Sequence, residues 1–202
     1  MGRKSRGFWE EVKLAKYELA KNILEKYFPN QYRSQYVGDW QGSFELHNDL
    51  IEYYLIIGPL NLSLPAYGNN FYLPQLNHLW DYQKGYRWNS LTGEKLLDWK
   101  DEWLVVGDQG ADPFILSSTT NTILFDNHGN GIWEPRELFS NIESMVTCLL
   151  ILSSIVIEAG KELTNERGHI KDSFRESAYK QLSMILQPSL QPEDILEEFA
   201  WL

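Results

Sequence analysis

The middle of the chain alternates short apolar runs with clusters of turn-forming residues, a pattern typical of short β-strands. Residues 103–106 (Trp-Leu-Val-Val) and 114–116 (Phe-Ile-Leu) form two such runs. Between them lies Gly-Asp-Gln-Gly-Ala-Asp-Pro, which is rich in residues that favour tight turns. The pattern predicts two neighbouring core strands joined by a tight acidic loop.

The same criteria predict further strands at residues 60–64, 71–73 and 122–125, and a last extended piece at 132–133. Apolar residues at helical spacing predict helices at residues 8–28, 50–55, about 136–159, 170–186 and 192–202. Gly160 is placed to cap the longest of them. Because the strands lie in the middle and the helices at both ends, the pattern indicates an α+β fold.

Charge is distributed unevenly along the 202 residues. The net charge is −10, but residues 1–33 carry +4 and residues 34–202 carry −14. An acidic body repels nucleic acid and attracts basic partners, although acidic surfaces also serve solubility alone. We therefore expect no nucleic-acid partner.

No secretory signal opens the sequence, since an amphipathic pattern follows its basic first residues. The longest apolar stretch, residues 145–157, is expected to be too short to span a bilayer. The single cysteine, Cys148, lies inside that stretch and is expected to be a buried thiol. The sequence predicts a cytoplasmic protein without a membrane partner.

One segment partly matches a calcium-binding loop. Asp126, Asn130, Gly131 and Glu137 stand in register with the motif. The third ligand position is His128, a strand is predicted where a helix is required, and a proline lies within the loop. A turn is the favoured interpretation, and no metal or other cofactor is expected.

The carboxylates around the acidic loop allow a catalytic interpretation. Asp108 and Asp112, with Asp101 and Glu102, could form an acid–base or metal cluster. In the structural alternative, which we favour, Asp108 caps the turn through its own backbone and Asp112 opens the next strand. The four histidines are scattered, and the chain has no linear catalytic or phosphate-binding motif.

Three segments in order resemble the SUKH superfamily, which includes a yeast regulator of cell-wall glucan synthesis. The first is residues 76–88, ending in Tyr-Arg-Trp. The second is the apolar strand followed by Gly-Asp and Asp-Pro-aromatic, and the third is His-Gly-x-Gly-x-Trp. The residues that carry the last two are Trp103, Gly107, Asp108, Gly110, Asp112, Pro113, His128, Gly129, Gly131 and Trp133. The resemblance covers about residues 44–158.

The resemblance implies a central curved, mainly antiparallel sheet flanked by helices. The chain then divides into an N-terminal helix and irregular connector (1–43), a SUKH-like core (44–158) and a C-terminal helical extension packed on the core (159–202). The resemblance also implies a non-catalytic role. Bacterial members of this superfamily are mostly inferred to be immunity proteins that bind and neutralise toxins, often nucleases.

The sequence thus favours a protein-binding module with a basic toxin domain as its partner. The candidate partner-binding residues combine aromatic rings with carboxylates, as binding hot spots often do: Trp88, Asp98, Trp99, Asp101 and Glu102. Two alternatives stay open. One is a regulatory scaffold that binds a host protein, as in the yeast branch, and the other is an enzyme with a carboxylate site near Asp108 and Asp112.

Overall fold

The computed structural model describes residues 16–129, 131–186 and 190–202. Five α-helices are present in these ranges: α1 (Glu18–Tyr27), α2 (Asn48–Ile56), α3 (Ile142–Ala159), α4 (Asp172–Ser183) and α5 (Pro192–Glu198). Six strands form one antiparallel sheet in the order of the chain: β1 (Leu62–Leu64), β2 (Phe71–Leu73), β3 (Trp103–Gln109), β4 (Asp112–Ser117), β5 (Ile123–Phe125) and β6 (Arg136–Phe139). The predicted α+β class is confirmed.

The central hairpin is formed by β3 and β4, as the two apolar runs predicted. The strands extend further into the acidic segment than expected, so that only Gly110 and Ala111 remain between them. Both have positive φ angles, 64° and 81°. This is the backbone that a two-residue turn between twisted strands requires, and glycine adopts it most readily.

The sheet buries one face, here called the inner face, against helix α3. Because strand side chains alternate, Phe114 and Leu116 of β4 point to this face while Ile115 points to the other. Phe114 is the centre of an aromatic group, with ring centroids 5.2 Å from Phe125 and 6.1 Å from Phe199 of the C-terminal segment. The inner core therefore joins strands that are close in sequence to the far end of the chain.

The long helix begins later than its apolar pattern predicted. Residues 136–139 were expected to be helical but form the edge strand β6, and the predicted extended piece at 132–133 is not a strand. The helix starts after Asn141, whose side chain accepts from the Ser144 N–H while the Ser144 hydroxyl accepts from the Asn141 N–H. Gly160, with a φ of 50°, ends the helix as predicted.

The terminal helices share the inner core. One buried apolar cluster extends from Tyr17 to Trp201 and includes residues of α1, α3, α4 and α5. The described part of the predicted first helix is α1, and residues 8–15 of that prediction lie outside the described residues. The proposed boundaries near residues 43 and 158 thus divide the sequence without dividing this hydrophobic core.

Helix α3 with its following turn spans 21 residues, which makes it long and apolar enough to cross a bilayer by length and composition alone. The helix is thus longer than the apolar stretch 145–157 from which the sequence expectation was drawn. In the folded chain 72% of its apolar window is buried inside the protein. The helix acts here as the core element against which the sheet packs.

Candidate functional site

The second face of the sheet, here called the outer face, is covered by residues 74–102, which connect β2 to β3 and are here called the covering segment. Aromatic rings of this segment and of the loop before β6 form a separate apolar cluster with the outward side chains of β3 to β5. Its members are Tyr82, Tyr86, Leu96, Trp99, Trp103, Val105, Ile115, Leu124 and Trp133. Trp99 lies at its centre, with ring centroids 5.5 Å from Trp103 and 5.6 Å from Trp133.

The buried side chain of Gln83 makes hydrogen bonds to a part of β3 that has no neighbouring strand on this edge among the described residues. Strand β2 pairs only with Gln109 and Asp108 of β3, which leaves the first half of β3 without this neighbour. The Gln83 amide accepts from Val105 N–H and donates to Val105 C=O, both at 2.9 Å. These bonds satisfy two backbone groups that would otherwise be buried without partners, and they fix the covering segment to the sheet.

Arg87 extends this attachment. Its guanidinium donates to the carbonyl oxygens of Asp101 at 2.7 Å and Trp103 at 2.9 Å. It also lies 5.7 Å from the ring centroids of Trp80 and Trp88. Burial lowers the pKa of Arg87, while the Asp101 carboxylate acts in the opposite direction. The residue is thus a buried cation that holds the covering segment against the start of β3.

Asp108 does not cap its own turn, contrary to the favoured sequence interpretation. It lies within β3, and its carboxylate accepts from the hydroxyls of Tyr82 and, at 3.2 Å, Tyr86. Burial and the nearby Asp108 carboxylate raise the pKa of both tyrosines. Because both hydroxyls stay protonated donors at neutral pH, this carboxylate ties the covering segment to the sheet.

Asp112 opens β4 as predicted, and its carboxylate has a partner outside the turn. Its Oδ1 accepts from the backbone N–H of His128 at 2.7 Å and lies 2.6 Å from His128 Nδ1. In the same loop, Asp126 accepts from the N–H groups of Asn127 and Glu134. These bonds organise a turn, while Glu137 of the calcium motif lies in β6. The described residues contain no group of three or more metal-ligating side chains.

Gly107, Gly129 and Gly131 lie in the segments that resemble the SUKH superfamily, and their positions favour glycine for different reasons. Gly107 follows a bulge in β3, and a Cβ there would lie 2.7 Å from the carbonyl oxygen of Tyr72 on β2. Gly129 and Gly131 have φ angles of 93° and 86°, which favour glycine. Pro113 faces Asp108 across the hairpin. These residues shape the sheet edge and the loop before β6.

One of the predicted partner-binding residues is not on the surface. Trp99 is only 2% exposed, so its assignment as a surface anchor is corrected: it is the centre of the outer aromatic cluster. Aromatic residues in a loop-rich segment suggest surface anchors, but this segment carries its own apolar core.

The four other candidates keep exposed or half-buried positions. Trp88 is half-buried beside Trp80, and the Asp98 carboxylate accepts from the Trp133 N–H at 3.0 Å. The Asp101 side chain is 80% exposed and lies 2.5 Å from Lys95 Nζ, whose hydrogen bond lowers the pKa of this carboxyl. Glu102 is half-buried at the start of β3. The structure brings these residues to the covering segment and its junction with β3.

Three exposed aliphatic side chains of the covering segment and of the loop before β6 were not predicted from the sequence. Leu91, Leu97 and Ile132 are 94%, 104% and 55% exposed. The sequence does hold a signal, because Leu91 and Leu97 are large apolar residues within a loop-rich segment. Large apolar groups with this exposure are a common mark of interaction surfaces.

Two shallow cavities lie near these side chains. One, of about 220 Å³, is lined by Asn127, Gly129, Gly131, Ile132 and Trp133, and the other, of about 230 Å³, by Lys84, Trp88, Asn89, Ser90 and Gly93. Both fall below the usual size of a small-molecule site. The geometry is therefore better suited to a contact surface than to an enclosed ligand.

Comparison with known proteins gave no match to any family model, curated protein or solved structure. The resemblance to the SUKH superfamily stays a prediction that rests on the three sequence segments.

Proposed function

We propose that this chain is a non-catalytic protein-binding module that recognises a basic protein through the covering segment of its outer face. The observation that carries the proposal is the near-complete exposure of Leu91 and Leu97 on a segment whose backbone is fastened to the sheet. Exposed apolar side chains on a fixed framework lose little conformational freedom on binding, so they suit an interface.

The fastening comes from three independent sets of bonds. Gln83 binds the edge of β3, Arg87 binds two carbonyl oxygens at its start, and Asp108 accepts from two tyrosines. The Asp98 carboxylate then joins the end of the segment to Trp133. The surface therefore exists before a partner arrives, which reduces the entropic cost of association.

The charge of the chain supports a basic partner. Residues 101–135 contain six Asp or Glu and no Lys or Arg, whereas residues 74–100 contain three Asp or Glu and four Lys or Arg, so most of these acidic residues lie beside the covering segment rather than on it. The acidic stretch includes β3, β4, β5 and the loop that carries Ile132. Opposite charge on a partner would accelerate association and discriminate against acidic proteins.

Combined with the SUKH resemblance, these features support an immunity protein that neutralises a toxin of a bacterial competition system. The test is co-expression with the candidate toxin encoded beside this chain. We expect the wild-type chain to restore growth and to co-elute with the toxin in size-exclusion chromatography. If the chain neither restores growth nor forms a complex with the toxin, the proposal is contradicted. A specific complex with a host housekeeping protein would instead favour a regulatory scaffold.

A further inference from the structure

We propose that Leu97 and Ile132 form the centre of the binding surface, and that they receive a basic peptide segment bearing an apolar side chain. We call this surface the outer patch and define it by Leu97, Asp98, Ile132 and Glu134. The inference rests on the proposed function for its biological meaning, but the surface can be tested without a toxin.

The two apolar side chains of the outer patch lie on neighbouring segments. Leu97 precedes Asp98 and Ile132 precedes Trp133, and the Asp98 carboxylate accepts from the Trp133 N–H at 3.0 Å. The Trp133 ring packs against Trp99, with centroids 5.6 Å apart. This hydrogen bond and this ring contact hold Leu97 and Ile132 on one supported part of the surface, although both side chains face solvent.

The charges beside the patch favour a cation. Glu134 is exposed, and among the described residues its carboxylate has no ion-pair partner. The two closest lysines along the covering segment are already engaged: Lys95 lies 2.5 Å from Asp101, and Lys100 lies 4.8 Å from the centroid of the Trp103 ring. Lys100 keeps its charge in this ring contact, so the carboxylate that a lysine or arginine of a partner would meet is that of Glu134, on the Ile132 side of the patch.

The same charges argue against a symmetric second copy of this chain as the occupant. A twofold interface would place each patch opposite itself, because such contacts use the same surface on both copies. The carboxylates of one copy would then lie close to those of the other, and like charges across an interface weaken association. A basic partner segment satisfies both the apolar and the acidic parts of the patch.

The probe for the experiment is a random peptide library displayed on phage and selected against the immobilised full-length chain. We expect enriched peptides to combine Lys or Arg with at least one large apolar residue. Synthetic copies should bind the wild-type chain at least tenfold more tightly than the Leu97→Ser/Ile132→Ser variant. Glu134→Gln should weaken binding about threefold and reduce its dependence on salt.

Met184→Ser is the matched control, since Met184 is 70% exposed and follows helix α4, on the side of the sheet's inner face. It should leave peptide binding unchanged. Enriched peptides that are not basic, or that bind the double variant as tightly as the wild-type chain, would overturn the proposal. Circular dichroism must show that all variants unfold at the wild-type temperature. If the serine double variant unfolds at a lower temperature, the Leu97→Gln/Ile132→Gln variant takes its place.

The outcomes separate the two proposals. Growth rescue that persists in the double variant would overturn the outer patch and leave toxin neutralisation standing. Peptide binding that depends on the patch, without rescue by the wild-type chain, would support the patch and contradict the immunity function.

Discussion

The two faces of the sheet are both buried, but they are buried by different means. The inner face packs aliphatic and phenylalanine side chains against α3, in a cluster that extends over the length of the described chain. The outer face packs tryptophan and tyrosine rings of one local segment, and buried Gln83, Arg87 and half-buried Asp108 hold that segment by hydrogen bonds. Apolar contact dominates the first interface, and directional bonds determine the second.

The difference assigns separate tasks to the two faces. Non-directional packing over a large area gives the inner face most of the stability of the fold. Directional bonds give the outer face a fixed covering segment, which can then present exposed leucines without collapsing onto them. The faces should therefore respond differently to substitution.

The largest effect is expected from Phe114→Ala on the inner face. The ring is fully buried at the centre of the phenylalanine group, and its removal would leave a cavity that the sheet and α3 cannot close. We expect a loss of about 3–5 kcal/mol in the free energy of unfolding. Urea denaturation measures it, and a loss below about 1 kcal/mol would show that the inner face is not the main source of stability.

The next effect is expected from Gln83→Leu on the outer face. The substitution replaces the amide with an apolar group of similar volume and leaves the N–H and C=O of Val105 without their partners. We expect a loss of about 1–3 kcal/mol, together with faster amide hydrogen exchange in residues 81–103.

Gln109→Leu is the matched control for that prediction. Gln109 is half-buried, and its side chain donates one hydrogen bond, which is exposed to solvent, to the carbonyl oxygen of Asn69. Its effect should stay below about 0.5 kcal/mol. Equal losses for the two variants would contradict a special role for Gln83.

A smaller effect on stability is expected from Glu158→Gln, at the contact between α1 and α3. The Glu158 carboxylate accepts from the Tyr27 hydroxyl and lies 2.9 Å from Lys26 Nζ. These bonds lower the pKa of Glu158, so its contribution exists above the unfolded-state value and is lost as pH falls through the folded-state value. Glu158→Gln should cost less than about 1 kcal/mol at pH 7, because the pair is exposed. The difference from wild type should disappear in strong acid, and a difference that grows on acidification would contradict the assignment.

The smallest effect on stability is expected from Leu91→Ser and Leu97→Ser. Both side chains are almost fully exposed, so their truncation removes little buried area. The unfolding temperatures should match that of the wild-type chain within experimental error. A clear decrease would show that these leucines pack in solution and are unavailable to a partner.

The inner face could be predicted from the sequence because its signal is local. Apolar runs at residues 103–106 and 114–116 specify β3 and β4 without knowledge of the rest of the chain. Strand β6 was missed because its first two residues, Arg136 and Glu137, are charged and exposed at a sheet edge, while a helical pattern follows directly. Edge strands tolerate such residues, so they weaken the alternation on which strand prediction depends.

The outer face could be predicted only in part because its contacts join distant residues. The partners of Asp108 are Tyr82 and Tyr86, more than twenty positions earlier, and a turn-capping role was the simpler local interpretation. The burial of Trp99 depends on Trp133 from the loop before β6. Composition drew attention to this segment, but its buried and exposed residues could be distinguished only in three dimensions.

The most direct test of the account is amide hydrogen exchange of the full chain with and without the proposed toxin partner, once co-expression has shown that the two form a complex. We predict that binding slows exchange in residues 88–99 and 131–134 and leaves α4 unchanged. Protection centred on α4 and α5, with none in those two segments, would contradict the assignment of binding to the outer face.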